Sequence, residues 1–203
     1  MKNIFYTLAL LVCFSSFGQT LKEVNDNLQK YDGLLQQYAN SGDYKSAIEL
    51  GKKMLQTDFV KSNNLPRAIM FQNLGEYYGQ LSLNSKGSSE FLIKANEYYN
   101  KAIATKDCPA WLLTDCYIGL GTFNGNNQTG LNYNDLAIYV IEKHPDRASI
   151  SNETKGMAYT NKAVKLYQMG YKIKKVCKAI KKANQFSRDY PRAGELMIKL
   201  GCY

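Results

Sequence analysis

The chain has 203 residues, 45% of them hydrophobic and 21% charged, with a formal net charge of +9 at pH 7. This length and composition are enough for one domain with a core of its own. A single histidine, His144, and the lack of any Cys-x-x-Cys exclude a paired-histidine metal site and a cysteine zinc clamp.

In chain order, the first stretch is "MKNIFYTLALLVCFSSFGQT". Lys2, an apolar run from Ile4 to Phe14 and the small-residue segment Ser16-Phe17-Gly18 predict a signal peptide over residues 1–18, cleaved near Gly18. A lipoprotein anchored through Cys13 is the lesser reading, because Val12 stands where a small residue is wanted. No later stretch approaches the ~20 apolar residues of a membrane helix. The expected mature chain, 19–203, is one helical domain, exported to the periplasm or secreted. It keeps Cys108, Cys116, Cys177 and Cys202, an even number that permits disulfides. Residues 19–154 hold 13 basic and 15 acidic side chains, whereas 155–203 hold 12 basic and 2 acidic. The basic character therefore sits in the last quarter.

Apolar spacing of about 3.6 predicts helices over Leu21–Asn40, Tyr44–Asp58, Pro66–Leu81, Ser89–Thr105, Ala110–Thr122, Asn134–Glu142, Asn152–Met169, Ile173–Ser187 and Pro191–Leu200. Each of the four prolines lies at or near the start of such a stretch, where the missing N–H costs little. "NSGD", "SLNSKGSS" and "NGNNQTG" read as breaks, and "QTDFVKSNN" as a linker. Alternating strand patterns are nearly absent.

A spacing recurs in these helices. Ala47, Gly51 and Met54 are matched by Ala95, Tyr99 and Ala102, and again by Val176, Ile180 and Ala183. Each such helix follows one with a small residue among bulky neighbours, around Gly75, Gly121 and Ala163. Leu74, Gly75 and Tyr78 in a first helix, and Ala95, Tyr99 and Ala102 in a second, resemble the tetratricopeptide repeat, a helix pair of about 34 residues. The resemblance covers most of Leu21–Cys202 as divergent copies. It implies an all-α, right-handed solenoid of antiparallel helix pairs, about four of them, closed by a capping helix. The small residues would then mark close helix crossings, which offset the ~1 kcal/mol propensity loss of a mid-helix glycine such as Gly51.

The C-terminal stretch is similar to the closing unit of many bacterial members of that family, in Cys177, Lys181-Lys182-Ala183 and Cys202. That likeness implies a Cys177–Cys202 disulfide. A turn near Arg188–Tyr190 would place the two at matching distances along a hairpin; two buried free thiols are the alternative. Cys108 and Cys116 are left open as a pair.

Tetratricopeptide arrays bind proteins and peptides in a groove lined by their first helices. By that resemblance Gln36, Gln72, Asn73, Glu76, Gln80, Thr160 and Asn161 are the groove positions, and a protein or peptide is the expected partner. The lysine-and-asparagine clamp for a terminal carboxylate is not reproduced, since Asp32 and Gln36 occupy its first-repeat positions. The alternative is electrostatic. Lys174, Lys175, Lys178, Lys181 and Lys182 flank an apolar face of Ile173, Val176, Cys177, Ile180 and Ala183, and would dock on an anionic envelope surface or polymer. Nucleic acid is not expected, because this helix lacks interleaved aromatics. No cofactor, metal or catalytic residue is implied. Glu76, Glu90, Glu97, Asp107 and Asp115 are carboxylates that a fold can bring together, and an enzyme that uses them is the third reading.

Overall fold

The computed structural model describes residues 31, 33–85, 88–124, 127–187 and 191–202. The leader with Cys13 and Gly18, Asp32, the start of the expected first helix and the Arg188–Tyr190 turn lie outside the described residues. Among the described residues every regular element is helical and none is a strand.

The helices are α1 (residues 33–41), α2 (Tyr44–Leu55), α3 (Asp58–Ser62), α4 (Asn64–Asn84), α5 (Ser89–Ile103), α6 (Ala110–Phe123), α7 (Asn127–Lys143), α8 (Asn152–Gln168), α9 (Ile173–Phe186) and α10 (Pro191–Leu200). Side-chain caps fix several starts. Asp43 accepts from the Ser46 N–H at 3.2 Å, and Ser151 accepts from the Thr154 N–H at 3.0 Å. Each satisfies an orphan donor of a first turn. Gly42 takes φ +75° between α1 and α2, a conformation that glycine adopts without strain.

Two expectations are corrected. The linker after Leu55 contains α3, because Thr57 caps it at the Val60 N–H and Val60 is buried beneath it. The polar segment "NGNNQTG" is not all loop, since α7 begins at Asn127 rather than Asn134. Gly130 lacks the carbon that would meet the Gly121 carbonyl oxygen at 2.8 Å, so α7 lies close on α6. The Asn134 side-chain amide then donates to the Gly130 carbonyl at 3.0 Å. Tertiary approach, not apolar periodicity, makes this turn helical.

The helices pack chiefly as α4 on α5, α6 on α7 and α8 on α9, with further contacts of α2 to α4, α4 to α6 and α6 to α8. Every repeated position named above, Ala47, Gly51, Met54, Ala95, Tyr99, Ala102, Val176, Ile180 and Ala183, is buried. Gly51 now has a reason. A carbon added there would sit 3.0 Å from Leu74 Cδ2 and 3.2 Å from Met70 Sδ, so its bareness admits α4. At the other end, Cys177 and Cys202 form a disulfide with Cα atoms 5.2 Å apart, tying the end of α10 to α9. No helix among the described residues is long and apolar enough to cross a membrane.

Candidate functional site

The polar side chains of α4 form one stripe, with Gln72, Asn73, Glu76 and Gln80 all half-buried. Glu76 is its hub. Its Oε1 accepts from Gln80 Nε2 at 2.8 Å, and its Oε2 accepts from the Tyr99 hydroxyl at 2.9 Å. Tyr99 belongs to α5 and is fully buried. Its ring passes between α4 and α6 because both are bare where it crosses. A carbon on Gly75 would stand 2.9 Å from Tyr99 Cγ, and one on Gly119 would stand 2.8 Å from Tyr99 Cε1.

On α6 the matching position is Asp115, half-buried like Glu76. The protein around it raises the Asp115 carboxyl to about 7, first by desolvation and further by the nearby Glu76 charge; a hydrogen bond with Thr154 works the other way. Thr154 lies in the first turn of α8, and its hydroxyl oxygen also accepts from Ser151 Oγ at 3.0 Å. Two turns further along both helices, Asn161 Nδ2 donates to Thr122 Oγ1 at 3.0 Å. Glu76, Asp115 and Thr154 stand at equal intervals of 39 residues, the interval that also separates Thr122 from Asn161. A polar seam thus crosses α4, α6 and α8 at equivalent positions.

Of the expected groove residues, Gln72, Asn73, Glu76 and Gln80 share the α4 stripe, while Gln36 is half-buried on α1. Thr160 offers no surface to a ligand: it is fully buried and donates to the Gly156 carbonyl at 2.9 Å. Asn161 is nearly buried, its amide spent on Thr122. Asp115, Thr122, Thr154 and Tyr99 complete the seam and were not among the expected groove residues. No repeat of residue type marks them in the sequence; the 39-residue interval of Asp115, Thr122 and Thr154 emerges only from the contacts, and Tyr99 stands outside it.

The other carboxylates lie apart. Glu90 and Asp107 are exposed. Glu97 bonds Lys101 at 2.7 Å and Lys94 at 3.1 Å, and these hydrogen bonds hold its carboxyl below the usual range. Cys108 and Cys116 are free thiols. Burial pushes Cys108 up to about 11 and Cys116 well above the ordinary value, which disfavours the nucleophilic thiolate at neutral pH. His144 is tied locally, its Nδ1 accepting from the Asp146 N–H at 3.1 Å. Among the described residues no group of three or more His, Cys, Asp or Glu side chains is placed to hold a metal ion.

The lysine face is a separate place. Lys174, Lys175, Lys178 and Lys181 are exposed, and Lys182 is half-buried with its ammonium 5.4 Å from the Phe186 ring centre. The other side of the same helix holds the buried Val176, Ile180 and Ala183. Comparison with protein-family models, curated proteins and solved structures finds no match to this chain.

Proposed function

We propose that the chain is a non-catalytic, exported scaffold of the tetratricopeptide type, which binds a protein or peptide along its first helices α4, α6 and α8. The observation that carries this reading is the half-buried pair Glu76 and Asp115, 39 residues apart on α4 and α6; Thr154, 39 residues further on, is buried and supports Asp115 from α8. Partners that lie across successive repeats meet equivalent positions, which is how such arrays present an extended surface.

Pairwise contacts support the repeat geometry. Ser82 bonds Ser88, Tyr78 lies against Phe91, and Phe71 lies against Tyr98, so positions fall on α4 as they rise on α5. That is the sense of an antiparallel hairpin. The pairs Asp115–Thr154 and Thr122–Asn161 instead rise together on α6 and α8, as equivalent helices of successive repeats would. The 39-residue interval is longer than the family's ~34, in keeping with the divergent copies. The Cys177–Cys202 bridge supports export, since disulfides persist in oxidising compartments.

The test is retention of partners from cell-envelope extract by the immobilised chain at low and high salt. A parallel arm uses the variant Glu76→Gln/Asp115→Asn, which removes charge and keeps shape. The reading expects a discrete protein held at high salt by the native chain and at least about tenfold less by the variant. Equal retention by both would overturn the groove assignment. A turnover present in the native chain and lost in the folded variant would replace the scaffold by an enzyme.

A further inference from the structure

A second surface lies at the α8–α9 turn. Gly170 takes φ +71° there, and the Tyr171 N–H donates to the Leu166 carbonyl at 3.0 Å, closing α8 with a left-handed glycine. The reversal leaves three large apolar side chains in solvent within seven residues: Tyr167 at 41%, Tyr171 at 37% and Ile173 at 45% exposure. Residues 171–182 also carry six lysines and no acidic residue. Lys172, Lys174, Lys175 and Lys178 are all exposed, and the Lys175 ammonium lies 4.0 Å from the centre of the Tyr171 ring. Cations and exposed apolar side chains are therefore interleaved over residues 167–178, with Lys175 and Tyr171 in contact. The disulfide from Cys177, in the second turn of α9, to Cys202, just beyond α10, ties the patch covalently to the end of the chain.

We infer that this patch docks on an anionic lipid bilayer, with Tyr167, Tyr171 and Ile173 at headgroup depth and the lysines against lipid phosphates. Charge complementarity selects an anionic target. The apolar edge selects a bilayer, because tyrosine and aliphatic groups beside lysines match the interface, where one layer is apolar and the next charged. A purely acidic polymer would engage the lysines and leave those three side chains in water.

The experiment is co-sedimentation of the full chain with vesicles of phosphatidylcholine alone and of phosphatidylcholine with about a third phosphatidylglycerol. Each lysine near such a surface is worth roughly fivefold in affinity. Binding is expected to the anionic vesicles only and to weaken as salt shortens the ~10 Å screening length of 0.1 M electrolyte. Lys174→Glu/Lys178→Glu should bind about 25-fold or more weakly. Tyr171→Ala/Ile173→Ala should bind more weakly at every salt concentration, with the salt dependence unchanged. Thermal unfolding checks that both variants remain folded. Equal binding to neutral vesicles, or to none, overturns the inference. So does an unchanged affinity in the Tyr171→Ala/Ile173→Ala variant, or capture by poly-glutamate beads without vesicle binding, which would assign the face to an acidic protein.

Discussion

Asp115 carries a cost that its fold accepts. Its carboxyl is raised from 3.8 to about 7, so between those values the folded chain holds a proton that the unfolded chain has lost. Stability contributed by this group is complete below about pH 4 and is lost as pH rises through 7. Asp115→Asn keeps a hydrogen-bonding side chain without the charge. Urea unfolding at pH 8 should show it more stable than the native chain by ~1–3 kcal/mol, discounted for the solvent it still meets, with the gap closing near pH 4. A gap that is constant across pH would mean that the charge is not the cause. The glycines beside Tyr99 make the opposite demand. Gly119→Ala places a carbon in the ring, which Gly75 blocks from retreating, and overpacking of this kind costs about 1–3 kcal/mol. Gly194→Ala, where an added carbon meets nothing within 4 Å, should be neutral or slightly stabilising by the same denaturation measurement. Equal effects of the two substitutions would show that Tyr99 adapts freely.

At the scale of elements, α10 depends most on a covalent bond. It packs mainly on α9, and the bridge closes an interval of 25 residues. Such a loop is worth about 3 kcal/mol by the chain-entropy estimate. Reduction, or Cys177→Ala/Cys202→Ala, should therefore speed amide exchange in α10 and the end of α9 while leaving α4 and α6 protected. Uniform loosening across the chain would place the bridge's effect elsewhere. Which elements could be read from sequence follows from what shapes them. The helices α2, α5, α9 and α10 carry their own periodic apolar faces and were legible. The small positions Ala47, Gly51, Ala95 and Ala102 also pointed to close crossings, because a side chain that must be small leaves a pattern. The start of α7 did not, since Asn127 to Gly130 carry no apolar period, and the close approach of Gly130 to Gly121 of α6 is visible only in the fold. The short α3 was hidden in the same way, its one buried side chain, Val60, being too little to register as a period.

At the scale of the whole molecule, the polar seam was illegible for a chemical reason. Glu76, Asp115 and Thr154 are different residue types, and no residue-identity repeat marks their equivalence. Only the contacts do, through the Thr154 hydrogen bond to Asp115 and the Asn161 amide on Thr122. The basic face was fully legible, because charge on an exposed helix needs no partner to be counted, but Tyr167 and Tyr171 joined it only once the turn at Gly170 was seen. The Thr122–Asn161 bond between α6 and α8 also bears on mechanics. The Asn161 amide reaches Thr122 at 3.0 Å, and a slip of one helix along the other by a single turn of ~5.4 Å breaks that bond. Arrays of helix pairs are often elastic, stretching and recoiling through small slides between neighbours. Held at Thr122 and Asn161, α6 and α8 resist that slide, and a shift of one turn leaves a nearly buried amide without its partner.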